Sequence, residues 1–103
     1  MTQTTAPTQD MAENAKAAAS YLKTLAHDGR LMILCYLASG ERSVGELEEL
    51  LNLRQATVSQ MLARLREENL VQTRREGKTI YYALADEKTS EFIALMYRHF
   101  CAA

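Results

Sequence analysis

Apolar positions recur at three- and four-residue spacing along five stretches of this chain and alternate in one other. The first helix is expected over Met11–Ala26, with Ala15, Ala18, Leu22 and Leu25 on one side. His27-Asp28-Gly29 breaks it. Asp28 then begins a second helix, where its charge suits the dipole, and Leu31, Leu34, Cys35 and Ala38 share a stripe before Ser39-Gly40. Ser43 opens a third helix with the S-x-x-E capping pattern to Glu46, and Val44, Leu47 and Leu51 face inward. Asn52 suits a left-handed turn. A fourth helix, Gln55 to Glu68, carries the inward set Val58, Met61, Leu62 and Leu65. Two strands follow, Val71–Arg75 and Thr79–Leu84, joined by the three-residue loop Glu76-Gly77-Lys78, with Ile80, Tyr82 and Leu84 on one face. The last helix, Lys88–Phe100, has two apolar stripes: Phe92, Leu95, Met96 and His99, then Ile93, Tyr97 and Phe100. A helix apolar on two sides needs two packing partners, and the expected ones are its own domain and a second copy of the chain. The expected fold is therefore mainly α with a β-hairpin wing: a winged helix-turn-helix.

Length and composition bound this reading. A chain of 103 residues is one domain, and one this small often gains stability by dimerising. No apolar run approaches the roughly 20 residues that span a bilayer, so no membrane role is expected. Residues 1–10 hold no basic residue and no apolar core, which argues against a signal peptide. They read as a disordered tail, with the folded domain over 11–103 and a cytoplasmic location. The net charge of −1 does not advertise nucleic acid, but its distribution does more. Arg54, Arg64, Arg66, Arg74, Arg75 and Lys78 stand in one segment against three acids, while Glu41 to Glu49 holds four acids against Arg42. By charge alone a mixed solvated face remains the ordinary reading.

The helix pair and its wing sharpen the picture. A recognition helix places its N-terminal residues near base edges in the major groove. Here these are Gln55, Thr57, Ser59 and Gln60; Gln pairs with adenine, and Ser or Thr reaches bases or phosphates. Arg64, Arg74, Arg75 and Lys78 suit phosphate contacts, which give affinity and position rather than sequence, or the wing arginines a minor groove.

From Leu25 to Asp86 the chain resembles the ArsR-type repressors. The resemblance rests on Arg30-Leu31-x-Ile33, Ser43-Val44-x-Glu46-Leu47, Val58-Ser59-Gln60-x-Leu62-x-x-Leu65 and Arg74-Arg75-Glu76-Gly77-Lys78-x-Ile80-Tyr81-Tyr82, in that order. It implies a homodimer through the first and last helices, an inverted-repeat operator in double-stranded DNA, and an effector that weakens DNA binding. Arg54 departs from the usual Ser before the recognition helix, losing a cap and adding a candidate phosphate contact.

Many such proteins sense metals. The cysteines of one family site are replaced by Ser43 and Gly45. In another, Asp86 and His99 fit, but Lys88 and Ala102 stand at the other two positions, so four ligands are not assembled. Asp86 reads instead as a helix cap and His99 as a partly buried packing residue. No metal or other cofactor is expected. Two cysteines remain, Cys35 and Cys101, with no C-x-x-C. A small core residue is the ordinary reading of Cys35. The pair nonetheless resembles the persulfide-sensing branch of the family, together with Ala26-His27-x-Gly29-Arg30-Leu31-x-Ile33-x-Cys35 and Arg54-Gln55-Ala56-x-Val58-Ser59-Gln60. That branch implies a reduced dithiol repressor released when reactive sulfur species bridge the two thiols as a polysulfide or disulfide. Which thiol attacks first is left open. A metal-responsive repressor and a general thiol redox sensor remain alternatives. A thiol enzyme is disfavoured, since no nucleophile–base constellation or phosphate-binding glycine loop is present.

Overall fold

The computed structural model describes residues 9–101, with the side chain of Gln9 excepted. The elements run α1 (Gln9–Leu25), α2 (Asp28–Leu37), β1 (Arg42–Ser43), α3 (Val44–Leu51), α4 (Gln55–Glu67), β2 (Val71–Glu76), β3 (Thr79–Leu84) and α5 (Glu87–Phe100). The expected tail, residues 1–10, lies outside the described residues apart from Gln9 and Asp10, which already belong to α1. Among the described residues no helix is long and apolar enough to cross a membrane.

Local chemistry fixes the helix ends. The capping box closes in both directions: the Glu46 N–H donates to Ser43 Oγ at 3.2 Å, and the Ser43 N–H donates to Glu46 Oε1 at 2.8 Å. Asn52, at φ 56°, ends α3 in the left-handed region. α4 stops in a full Schellman motif on Asn69 at φ 63°. The Leu70 N–H donates to the Leu65 carbonyl at 2.9 Å and the Asn69 N–H to that of Arg66 at 3.0 Å, while Leu65 and Leu70 are both buried. At the start of α2 the cap is His27, whose Nδ1 accepts the Arg30 N–H at 3.3 Å. Arg30 in turn binds the end of α1, donating from Nε to the Thr24 carbonyl at 2.8 Å. These two side chains set the α1–α2 corner.

The core is built on α4. Val58, Met61, Leu62 and Leu65 are all buried, as the spacing predicts, against Leu47 of α3 and Ile33, Leu34 and Leu37 of α2. The expected α2 stripe needs correction. The buried side is Ile33, Leu34 and Leu37; Leu31 and Cys35 are half-buried and Ala38 is exposed. α2 has neighbours on both sides, so its sequence shows no single clean stripe, and the Leu31–Cys35 side turns toward α5.

Three strands form one antiparallel sheet in the order β1-β3-β2. β1 was not expected: Arg42 and Ser43 pair with Tyr82 and Tyr81 just before the capping box begins. The hairpin is also tighter than expected. Glu76 pairs with Thr79, leaving a two-residue Gly77-Lys78 loop with a positive φ of 64° at Gly77, the pattern of a type II′ turn. The alternation expected in β3 is muted, because Tyr81 on its other face is covered by β1 and by Arg74.

α1 and α5 are poorly buried. Every described side chain from residue 10 to residue 20 is exposed; α1 buries Thr24 and Leu25 and packs Tyr21, half-buried, against the core. In α5 only Thr89 and Ile93 are buried. The two helices meet where the Tyr21 hydroxyl donates to Thr89 Oγ1 at 3.0 Å and the Tyr21 and Phe92 rings lie 5.3 Å apart. Asp86 caps α5 by accepting the Thr89 N–H at 3.0 Å. That bond, then the Thr89 hydroxyl, holds the Asp86 carboxyl below its ordinary range.

Replacing Asp86 with Ala should cost about 1 kcal/mol in chemical denaturation at fixed protomer concentration. The wild-type contribution is complete above the ordinary Asp pKa and is lost as pH falls through the depressed folded value. Asp86→Asn, still a good cap, should keep most of the stability without that acid dependence. Equal stability of the Ala variant and the wild type near neutral pH would refute the cap's role.

Candidate functional site

The buried stripe of α4 fixes which way its other side points. Arg54, Gln55, Thr57, Ser59, Gln60 and Arg64 are all exposed: Thr57, Gln60 and Arg64 on the side opposite Val58 and Leu62, Ser59 on its flank, and Arg54 and Gln55 at the open start of the helix. Arg54 occupies the N-cap with extended backbone and makes no side-chain cap bond, so its guanidinium is not spent on the helix end. Gln55 and Lys78 border a common groove of about 400 Å³, together with Ser43 and Gly45 at the start of α3 and Thr79 and Ile80 of the hairpin. The wing tip and the start of α4 are thus parts of one surface. Ser59 lies in a recess between α4 and the sheet with Arg66 and Tyr82. Arg66 was not among the expected contact residues; its place one turn after Leu62, beside Ser59, is readable only once α4 is set against the hairpin.

The two wing arginines do not act alike. Arg74 pairs across the sheet with Tyr81 and Arg75 with Ile80, so the side chains leave opposite faces. Arg75 shares the face of Tyr82, toward α4. Arg74 lies over the Tyr81 ring at 4.8 Å and grips Glu41 through Nε, at 2.9 and 3.0 Å to the two carboxylate oxygens, and through a terminal nitrogen at 2.5 Å. Glu76 adds a longer contact of 3.5 Å. The Arg74 hydrogen bond holds the Glu41 carboxyl below its ordinary range, and Glu41 raises the guanidinium pKa in return. The pair is exposed, so water and salt screen it. A phosphate at Arg74 has to displace a carboxylate that the sequence, with Glu41 distant in the chain, did not reveal.

The cysteines come from different elements and meet at one cavity. Cys35, half-buried on α2, and Cys101, exposed at the C-cap of α5, line a cavity of about 340 Å³ with Leu31, Met96, Tyr97 and Phe100. Cys35 also lines a wider recess of about 770 Å³ between α2 and α5, which reaches Arg98. Both thiols are free. Burial pushes the Cys35 thiol up, and the nearby Cys101 pushes it further.

The residues weighed as metal ligands have other work. Asp86 is the α5 cap, and Lys88 places its ammonium over the Tyr21 ring at 4.8 Å. His99 is exposed, not partly buried as expected, because it lies on the outer side of α5 near its end, where this chain supplies no cover. Ala102 lies outside the described residues. Among those described, no three His, Cys, Asp or Glu side chains converge to hold a metal ion.

Residues 27–73 match the family described as bacterial regulatory protein, arsR family. The chain is 52% identical over 96 residues to the biofilm growth-associated repressor of Agrobacterium fabrum, an alignment covering 93% of this chain and 82% of that protein. It is 43% identical over 95 residues to the transcriptional activator HlyU of Vibrio cholerae, covering 92% and 88% of the two chains. The solved structure of reduced HlyU from the same organism superposes with a TM-score of 0.88 at 42% identity, covering 92% of this chain and all of that one. Both relatives are transcriptional regulators and neither is an enzyme. The chain belongs to the ArsR family of bacterial regulatory proteins, and is a winged helix-turn-helix transcriptional regulator of the kind its HlyU-type relatives represent.

Proposed function

We propose that this chain is a homodimeric repressor of sulfide-response genes whose grip on operator DNA is released when Cys35 and Cys101 react with reactive sulfur species. The observation that carries this reading is the shared apolar cavity: two free thiols, 66 positions apart in the chain (35 to 101), reach it from α2 and α5. Repression is favoured by the name of the 52% identical relative, although HlyU is named an activator. A persulfide or other sulfane donor converts one thiol to a persulfide, and sulfur exchange with the other closes a bridge. A plain disulfide requires Cα atoms within roughly 7 Å, whereas a longer sulfur chain relaxes that limit. The cavity leaves room for the extra sulfur, which favours sulfane donors over peroxide.

The exposed apolar sides of α1 and α5 supply the dimer contact. Leu22 is 50% exposed, Leu95 42%, Tyr97 56% and Phe100 83%, large apolar side chains that a second copy would cover. Two copies joined there carry two α4 helices, which read half-sites about 34 Å apart. Arg54, Gln55, Thr57, Ser59, Gln60 and Arg64 of each copy face the major groove, with Arg75 and Lys78 on flanking phosphates and Arg74 joining them after leaving Glu41. A bridge from α2 to α5 joins the element that packs against α3 and α4 to the element that meets the second copy. Small shifts there change the spacing of the two reading heads.

Three outcomes test this reading. Cys35→Ser and Cys101→Ser should each bind operator DNA about as tightly as the wild type, yet stay bound when an organic persulfide is added in a gel-shift assay. Release of either variant by persulfide would sink the cysteine assignment, and equal release of the wild type by hydrogen peroxide would favour a general thiol sensor. Leu95→Glu should move sedimentation toward the monomer and weaken operator binding at least tenfold; an unchanged dimer would move the interface elsewhere. Glu41→Gln removes the competitor for Arg74, so it should tighten operator binding, while Arg74→Gln should weaken binding and flatten the slope of log affinity against log salt by about one unit. An unchanged slope would remove Arg74 from the phosphate contacts.

A further inference from the structure

We propose that Cys101 is the thiol that takes the first sulfur atom and that Cys35 is the thiol that closes the bridge. This inference rests on the sulfur-sensing reading above and adds a direction to it. The two cysteines share one cavity but not one position in it. Cys101 ends α5 and is exposed at the cavity rim, held by its backbone N–H, which donates to the Tyr97 carbonyl at 2.8 Å. Cys35 lies half-buried in the last turn of α2, packed against the hydrophobic core. A donor carrying an organic group meets the rim first, since attack on sulfur needs the incoming thiolate, the attacked sulfur and the leaving sulfur nearly in line. At Cys101 the leaving group departs into water. At Cys35, half-buried, it would leave into the apolar cavity or the recess between α2 and α5 rather than straight into water.

Protonation points the same way. Burial, and then the proximity of Cys101, raises the Cys35 thiol pKa, so its thiolate is scarce at neutral pH. The thiolate is the nucleophile, and scarcity slows a bimolecular first step. It matters less in the second step, where the target is already fixed in the same cavity and the reaction is intramolecular.

The sequence balances without a further oxidant. The Cys101 thiolate attacks the terminal sulfur of R–S–SH; the donor S–S bond breaks, R–S⁻ leaves and takes a proton, and Cys101 becomes Cys101–S–SH. The Cys35 thiolate then attacks Cys101 Sγ and expels HS⁻, giving a disulfide. If a second donor has first extended the chain to Cys101–S–S–SH, Cys35 attacks the middle sulfur and expels HS⁻, giving a trisulfide. In either case the two thiols are oxidised by two electrons while one sulfane sulfur is reduced to sulfide.

The order is tested with limiting glutathione persulfide on the full-length dimer, followed by intact mass spectrometry over time. Cys35→Ser should gain a single sulfur at close to the wild-type rate and stop at the persulfide. Cys101→Ser should gain sulfur at least tenfold more slowly. Early wild-type samples, trapped with an alkylating agent and digested, should carry the added sulfur on the peptide containing Cys101. Sulfur found first on the Cys35 peptide, or a Cys101→Ser variant that reacts as fast as Cys35→Ser, would overturn the order while leaving the sensing reading intact. No sulfur uptake by the wild type would overturn the sensing reading and the order with it.

Discussion

The burial of Ile33, Leu34 and Leu37 on α2 is the contact on which the rest of the structure depends. Those side chains hold α3 and α4 in place, and Val58, Met61, Leu62 and Leu65 answer them from α4. Once that side of α4 is buried, its polar residues have nowhere to point but outward. The same burial turns the Leu31–Cys35 side of α2 toward α5. One ten-residue helix therefore carries the scaffold of the reading head on one side and a thiol on the other. Each of its buried leucines and isoleucines contributes about 1.5–3 kcal/mol by leaving water. Relative to that, the exposed ion pairs of the wing decide little about the fold and more about what the wing can bind.

How much of this was legible in the chain depends on the range of each interaction. The α4 stripe and the Ser43–Glu46 box are local patterns, and both formed as their spacing predicts. Asn52 is likewise a one-residue signal for a left-handed turn. The Schellman motif at Asn69 follows rules of the same range. The α2 stripe failed because a helix with packing on two sides has no single period to read. β1 could not be foreseen, since a two-residue strand has no pattern of its own and exists only through Tyr81 and Tyr82. The Arg74–Glu41 pair spans 33 positions and depends on β1 being there. His27 as a cap was hidden behind the more familiar Asp28. Among the candidate site residues, the exposed set on α4 was readable from one helix. The opposition of Arg74 and Arg75 needed the register of the hairpin, and the meeting of Cys35 with Cys101 needed the whole fold.

The surface charge of the reading head is tuned rather than simply positive. The chain carries a net charge of −1, and Arg74 begins paired to Glu41 and stacked on Tyr81. An arginine held this way is pre-positioned at the wing but pays no desolvation cost while DNA is absent. When a phosphate competes, the exchange replaces one charge-assisted contact with another, and the net gain is small. On the proposed reading, affinity for arbitrary DNA would stay low for the same reason. On that reading, a larger share of the discrimination would be left to Gln55, Thr57, Ser59 and Gln60, whose hydrogen bonds would depend on the base they meet.

The proposed sensing chemistry also constrains how release occurs. A link between positions 35 and 101 closes a loop of 66 residues, which removes about 4 kcal/mol of chain entropy from the unfolded state. Bridging therefore stabilises the folded chain, and release from DNA by unfolding is the wrong picture. The alternative is a folded, bridged dimer in a different arrangement. Moving a two-state equilibrium from 1:99 to 99:1 takes about 5.5 kcal/mol. A covalent link can supply that much if it is compatible with one arrangement of α2 against α5 and strained in the other. α5 is suited to this, since only Thr89 and Ile93 bury it in its own chain. Its first turn is pinned by Asp86, Thr89 and Tyr21, while its last turn, with Phe100 and Cys101, is exposed. A helix fixed at one end and loose at the other pivots when its free end is tied. The thiol at that free end is where a small chemical change gains the most leverage over the second copy.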